Sequence, residues 1–542
     1  MLSKGHLFSA VLLLVLKGAT KSRCAEAQIS SGFNFLVIYP ENIAYFYPEE
    51  PHNQLHVTAL LDNTEVTVVI REQIHTETLA AAQTRRFFIY GDAELGREGV
   101  SDKVLRVNST RQVTVHAVSI KAGSIQSARV LPVDRLGTEY LVPPVPQIQG
   151  TTQPADMVSP NVTEYTPFRL IVVNAEKVNT VNLEGEGNNT REVELEPYHA
   201  TQFRVDGDKA WRVVRAKHPV AVLFGHPCAS TLNCSCSMLY ATLSPKPNDK
   251  MTFLVPPPLS QDSEDQTAVL LSQDSLVDSS YPGWPLLELS SIAILYRPGL
   301  LLPLIPQSEL ASCYVVNAIP DVHNFAIILV HKDLTAGVRV GGAPPKDLTW
   351  RALAGTNYVS TVVNFSLDNN IIWHTSDKMA VYYMGEKGNA TFGNPALAVS
   401  QISDYRGCVL SPEVLEIGSE ALAWKESVKF CRERNLHLVT LSSSALLNQV
   451  EAKVRQESTR DGIPRRAWIG LRRSTLTNAW YWINRAPLTV SNWQGANPEG
   501  SDGGQCGTIS LEMGQDYGWS RENCCLDVHP ICYREPHLFP MQ

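Results

Sequence analysis

The chain is poor in charge. Asp, Glu, Lys and Arg make up 18% of its 542 residues, and 46 basic against 54 acidic residues leave a formal net charge of −8. So small an acidic excess sets up no field that would recruit nucleic acid or an anionic lipid surface. There is no apolar run of membrane-spanning length, for which a helix needs about 20 residues. Leu7–Leu16 is too short, and Leu286–Pro306 is broken by Glu288, Arg297, Pro298 and Pro303. Short catalytic signatures are absent too: no Gly-x-Ser-x-Gly, no His-Glu-x-x-His, no Gly-x-x-x-x-Gly-Lys. The acidic pairs Glu184/Glu186 and Glu192/Glu194 stand at strand spacing and read as solvated faces. The expectation is a protein that binds rather than catalyses, with no nucleic-acid partner and no membrane span.

What is present points outside the cell. Lys4 followed by Leu7–Leu16 and then small residues is the pattern of a signal peptide, cleaved after Cys24 or after Ala27. Asn-x-Ser/Thr sequons stand at Asn108, Asn161, Asn188, Asn233, Asn364 and Asn389, all before residue 400. Removing residues 1–24 takes one of 11 cysteines and leaves an even number, which suits disulfides. A secreted, N-glycosylated protein is expected.

Residues 28–400 read as all-β: runs of Val, Ile, Leu, Tyr and Thr bounded by Asn, Asp, Gly and Pro. Phe35-Leu-Val-Ile-Tyr-Pro is echoed at Tyr140-Leu-Val-Pro-Pro and at Phe253-Leu-Val-Pro-Pro. Each echo is followed by strand, turn, strand, placed at Val57–Ile70, Leu170–Leu183 and Tyr314–Val330. Later in each unit two apolar positions stand six apart: Val107/Val113, Val214/Val220 and Trp373/Met379. Three related β units follow, 33–139, 140–252 and 253–400, the third with an insertion around Ser260–Pro282. The polar, Gly-containing stretch 386–407 reads as a linker. Beyond it the periodicity turns helical: Leu422, Val428 and Cys431 fall near one face of a first helix, and Leu446, Leu447, Val450 and Val454 on a second, Ser442–Glu457.

The ordered set Trp468-Ile-Gly-Leu, Trp480-Tyr-Trp, Asn492-Trp493, Cys506, Trp519, Cys524 and Pro530-Ile-Cys532 resembles the C-type lectin-like domain over residues 405–535. The resemblance implies an α+β domain stapled by Cys431–Cys532 and Cys506–Cys524, worth about 5 and 3 kcal/mol by loop entropy. In that fold the termini run side by side, so the remaining Cys408 and Cys525 are expected to pair. The tryptophans are expected mainly in the core.

The family's calcium-dependent members use five oxygen side chains, because Ca²⁺ takes six to eight oxygens. Around the loop proline this chain has Asn497-Pro-Glu499, with acid and amide exchanged. Gly504 stands where a third carboxylate belongs, and Ser520-Arg521 where Asn-Asp belongs. Three of five positions depart from the pattern, and Arg521 brings repulsion; Asp502, Asp516 or Glu522 would have to substitute. No cofactor is expected. The ligand face expected is the long loop, with Asn497, Glu499, Asp502, Arg521 and Glu522 as hydrogen-bonding groups framed by Trp493 and Trp519. The partner class is an extracellular glycan or glycoprotein.

Pro219-Val-Ala-Val-Leu-Phe-Gly-His-Pro-Cys228, Cys234-Ser-Cys236 and Leu239-Tyr-Ala-Thr-Leu243 are similar to the N-terminal module of IgG-Fc-binding mucin-like proteins. That likeness implies an extracellular binding module and names no binding residue. Cys228, Cys234, Cys236 and Cys313 are expected in two disulfides rather than in a metal site with His226. A mucus or matrix structural component with a degenerate lectin domain is the alternative role.

Overall fold

The computed structural model describes residues 30–540 apart from 44–51, 72, 90–92, 97–98, 122–123, 147–167, 186, 188, 206–210, 231–235, 261–267, 272–275, 279–285, 298, 366–368, 389, 458–464, 487, 489, 495–503 and 512–516. Among the described residues no helix is long and apolar enough to cross a membrane.

The first unit holds β1 (Ser31–Val37), β2 (His52–Ala59), β3 (Thr64–Ile70), β4 (Gln73–Leu79), β5 (Thr84–Ile89), β6 (Gly99–Ser101), β7 (Leu105–Lys121) and β8 (Ser124–Val130). Val66 and Val68 are buried, Glu65 before them is exposed and Thr67 between them is half-buried, the period-two pattern of a strand covered on one face. The sheet order is β4-β3-β7-β2-β5, with β1 and β8 also on the long β7. The second unit holds β9 (Gly137–Leu141), β10 (Phe168–Asn174), β11 (Asn179–Gly185), β12 (Thr190–Leu195), β13 (Ala200–Val205), β14 (Trp211–Ser230) and β15 (Cys236–Thr242). Its order is β12-β11-β14-β10-β13, with β9 and β15 on β14, the same connectivity strand for strand. The turns match as well. Ala82 and Tyr198 both take positive φ, and their amides donate to Ala59 and Ala175. β6 crosses over and pairs with β13, so the first unit lends a strand to the second.

The remaining β region is two units rather than one. One holds β16 (Met251–Leu254), a one-turn helix α1 (Pro257–Ser260), β17 (Ala268–Leu271), β18 (Leu276–Asp278), β19 (Leu286–Leu289), β20 (Ala293–Arg297) and β21 (Leu300–Pro303). The next holds β22 (Cys313–Asn317), β23 (His323–His331), β24 (Val338–Val340), β25 (Arg351–Ala352), β26 (Tyr358–Phe365), β27 (Asn369–His374), β28 (Ala380–Lys387), β29 (Ala390–Pro395) and β30 (Leu397–Ser400). A buried aromatic heads each of the four: Phe35, Tyr140, Phe253 and Tyr314. They pair with Val107, Val214, Leu287 and Ile372 at the start of each unit's return strand. Phe35 and Phe253 also bridge Pro132 and Pro306, from which single 3-10 turns lead to β9 and β22. Tyr314 therefore opens a fourth unit, and Phe325–Val330 on β23 is the counterpart of Leu170–Val173, not of Val178–Leu183. The stretch 386–407 is not a linker, since its first part forms β29 and β30.

The units close on themselves. β8 lies against β15 and β29, and β21 against the same two, so four equivalent strands meet around one axis. The Ser30 amide donates to Ala398 at 2.7 Å, tying the start of the first unit to the end of the fourth.

The C-terminal domain holds β31 (Val409–Ser411), β32 (Val414–Ile417), α2 (Trp424–Glu433), β33 (His437–Leu438), α3 (Ser444–Glu457), β34 (Arg466–Arg473), β35 (Trp480–Trp482), β36 (Cys506–Ser510), β37 (Trp519–Glu522), β38 (His529–Arg534) and β39 (His537–Leu538). α2 starts later than the sequence pattern suggests, because Leu422 is committed to a bridge with Val528; its buried face is Trp424, Ser427, Phe430 and Cys431. α3 starts at Ser444, with the Ser443 hydroxyl accepting from the Leu446 amide as its cap.

Candidate functional site in the C-terminal domain

The sheet runs β32-β38-β34-β36-β37, with β33 on β38 and β35 on β34. Cys431 is bonded to Cys532, tying α2 to β38, and Cys506 to Cys524, closing the loop beyond β37; Cα separations are 5.4 and 5.2 Å. Trp468 is buried and its indole donates to Leu422 at 2.7 Å, fixing the α2 entry on β34. Trp424 donates to Ile469 at 3.0 Å.

The third bridge corrects the expected pairing. Cys408 is bonded not to Cys525 but to Cys313, on β22 of the fourth β unit, while Cys525 is a free, exposed thiol. Cys408 enters the domain against the β region, where Cys313, Trp373, Leu397, Leu60 and Phe539 bury it in one cluster. The bridge therefore joins two domains. Cys313 is accordingly not a partner of Cys228, Cys234 or Cys236. Cys228 is disulfide-bonded, and the His226 ring packs on Phe168 with Nδ1 accepting from the Cys228 amide. Cys234 and the Cys236 side chain lie outside the described residues.

Four tryptophans cluster at β35, β37 and the segment before residue 495. Trp482 and Trp519 are fully buried and meet edge to face at 5.4 Å. Trp480 and Trp493 are half-buried with centroids 4.8 Å apart, and Trp493 is 5.9 Å from Trp519. The Asn492 carbonyl accepts from the Trp519 amide at 2.6 Å and the Gln494 amide donates back to Trp519 at 2.9 Å, pinning Trp493 to β37. The Ser520 hydroxyl donates to Gln494 Oε1 at 3.1 Å.

Of the six expected ligand residues, Trp493, Arg521 and Glu522 are described; Asn497, Glu499 and Asp502 lie outside the described residues. Arg521 and Glu522 are successive on β37 and so face opposite sides of the sheet. Glu522 is engaged by the Arg466 guanidinium in an ion pair. Sequence reasoning missed Arg466, because nothing local ties a strand-opening arginine to a carboxylate 56 residues away. It also left out Trp480, which the aromatic run displays but whose partner, Trp493, only the fold reveals.

These residues do not fit a calcium shell. Ser520 and Arg521 occupy the late pair of positions, and Glu522 already has a cation. A Cβ at Gly504 would fall onto the Glu522 carbonyl, so a side chain there would collide with backbone. Among the described residues no three His, Cys, Asp or Glu side chains cluster as a metal site. Of the sequons, Asn108 and Asn364 are exposed on β7 and β26; Asn161, Asn188, Asn233 and Asn389 lie outside the described residues.

Two helices with a disulfide-stapled sheet and a tryptophan cluster at β35 and β37 define a C-type lectin-like domain. The comparisons agree. Residues 420–534 match the family model of the lectin C-type domain, and residues 126–277 that of IgGFc binding protein. Human IgGFc-binding protein is 23% identical over 445 residues, which is 73% of this chain and 8% of that protein. Human C-type lectin domain family 17, member A is 31% identical over 113 residues, 21% of this chain and 27% of that protein. The mouse scavenger receptor C-type lectin carbohydrate-recognition domain is 22% identical, covering 24% of this chain and 94% of its own, with a TM-score of 0.20. A calcium-independent type II antifreeze protein is 18% identical, covering 23% and 88%, with a TM-score of 0.20. The chain spans less than a tenth of the IgGFc-binding protein it matches. It joins a β region of the IgGFc-binding kind to a C-terminal C-type lectin domain.

Proposed function

We propose that the protein is a secreted recognition protein whose C-terminal domain binds an extracellular glycan or glycoprotein without chelated calcium. The observation that carries this reading is the fate of the calcium positions: Arg521 on β37, Glu522 held by Arg466, and Gly504 closed off by backbone. The half-buried Trp480/Trp493 pair offers an apolar face of the kind a sugar ring stacks on. Single-site affinity of that kind is weak and gains strength from multivalent display. A glycan array probed with the full chain tests it. Binding that persists in chelator and falls in Trp493→Ala supports the reading; binding abolished by chelator contradicts it.

The match of residues 126–277 to IgGFc binding protein favours a second reading, in which the β region takes a protein partner. An immunoglobulin Fc fragment is the first partner to test. Capture of Fc by the chain, insensitive to chelator and with no array signal, would support that reading over the first.

A further inference from the structure

The seam where the fourth β unit meets the first packs Val118 and Ile125 against Tyr314, Ile328 and Tyr383. The first and second units meet mainly through Leu36, Ile38, Ile171 and Leu223, and the second and third through Leu270, Ile294 and Tyr296. The first–fourth seam carries cross-unit hydrogen bonds, as the first–second seam does with Gln126 to Tyr240 and Arg169 to Glu41. Asn317 donates to the Thr58 hydroxyl at 2.9 Å, and Asn394 donates to the carbonyl and hydroxyl of Ser127, each at 2.7 Å. Behind these bonds the first unit's sheet presents a row of four basic side chains, directly abreast on β5, β2, β7 and β8: Arg86, His56, His116 and Arg129. Residues opposite one another across strands share a face and interact.

His56, His116 and Arg129 are buried. The His116 ring lies 5.8 Å from that of Tyr383 on β28 and 6.4 Å from that of His56. His56 Nε2 lies 3.1 Å from Gln54 Oε1, whereas Nδ1 of both histidines is buried with no hydrogen-bond partner among the described residues. An unpartnered ring nitrogen can lack a hydrogen in neutral imidazole, but both nitrogens carry one in the cation. The seam as built accommodates uncharged histidines between two arginines. We propose that this seam is an acid-sensitive latch: protonating His56 and His116 releases the fourth unit from the first.

The groups facing the row set the size of the effect. Burial, with Arg86 on β5 adding to it, lowers His56 to about 4, and burial with His56 beside it lowers His116 to about 3. Tyr383, and Tyr314 on β22 near Arg129, are pushed far above their ordinary range by burial and stay neutral. Glu309, in the turn before β22, is the carboxylate acting on Arg129 among the described residues, and burial raises it to about 7. The closed seam binds fewer protons at the histidines than an open one, so acid favours opening from pH 6.5 downward. From pH 7 to pH 5 each histidine shifts the balance toward opening about 20-fold, and the two about 500-fold. Glu309 acts the other way, since its closed form prefers the proton, by up to about 40-fold. The net is about tenfold.

The seam also carries the lectin domain. Leu60 and Ala82 of the first unit share a buried cluster with Cys313, Trp373, Cys408 and Phe539, so release would loosen one side of that seat. Hydrogen exchange of the full chain at pH 7 and pH 5, corrected for intrinsic rates, tests the latch at the amides of Ser30 and Ile319. Their hydrogen bonds end on Ala398, on Asn324 and on the Tyr383 hydroxyl. The opening constant should rise about tenfold in the wild type and several-hundred-fold in Glu309→Gln. It should not rise in His56→Gln/His116→Phe, while β10 and β14 of the second unit keep their protection throughout. A double variant that fails to fold at pH 7 is replaced by His116→Gln, which should remove about 20-fold. Equal loss in all units, or variants that keep the wild-type response, would overturn the proposal.

Discussion

The Tyr314 hydroxyl donates to the Met379 carbonyl at 2.7 Å. It also accepts from the Ala311 amide at 3.0 Å, and Tyr140 repeats both contacts, with Val220 at 2.6 Å and Gly137 at 2.9 Å. In the first and third units the same place is held by Phe35 and Phe253, which cannot make them. Tyr314→Phe removes both hydroxyl bonds but leaves the Ala311 amide bonded to the Met379 carbonyl at 3.2 Å, so the loss is that of net hydrogen bonds, about 1 kcal/mol. Urea unfolding of the full chain should show Tyr314→Phe and Tyr140→Phe destabilised by similar amounts. No effect at either position would contradict the shared role.

Cys313–Cys408 spans 95 residues of sequence. Loop-entropy arguments give a bridge of that span about 4–5 kcal/mol. Cys408→Ser should free the lectin domain's seat on the β region before it unfolds the domain, because Cys431–Cys532 and Cys506–Cys524 lie wholly inside it. Limited proteolysis should then cut between residues 400 and 412 faster than in the wild type, with the domain itself left resistant.

Cys525 should react with a maleimide in the native protein without reductant, and peptide mapping should find the label there and not at Cys408. A protected Cys525 would restore the pairing that the domain's terminus-to-terminus geometry suggested.

The fold was legible where a local pattern carries it. The aromatic heads Phe35, Tyr140 and Phe253 mark three of the units, and the six-residue spacing after Val107 and Val214 marks the two that share one connectivity. The fourth unit escaped because Ala311-Ser-Cys-Tyr314 lacks the Leu-Val-Pro-Pro tail, and its return strand breaks into β27 and β28, putting Met379 seven residues after Ile372 instead of six. The order of tryptophans and cysteines pointed to the lectin domain. The Cys408 partner did not follow from it, since a bridge between domains leaves no spacing signature within either. The row Arg86, His56, His116 and Arg129 was invisible for the same reason: its members are neighbours only through strand register.

Gly504→Asp is the substitution that would seem to return a calcium ligand. Its side chain would meet the Glu522 backbone. It should lower the melting temperature by several degrees, with or without calcium, and create no calcium-dependent stabilisation. A variant that melts higher in calcium than in chelator would show that the β36 entry can rearrange.

The most direct test of the recognition account is a calcium titration of the intact chain, followed by calorimetry and melting temperature together. With Arg521 on β37 and Glu522 held by Arg466, the account predicts no saturable heat and no shift in melting up to millimolar calcium. A saturable heat with a rise of several degrees, lost in Glu499→Ala, would contradict it.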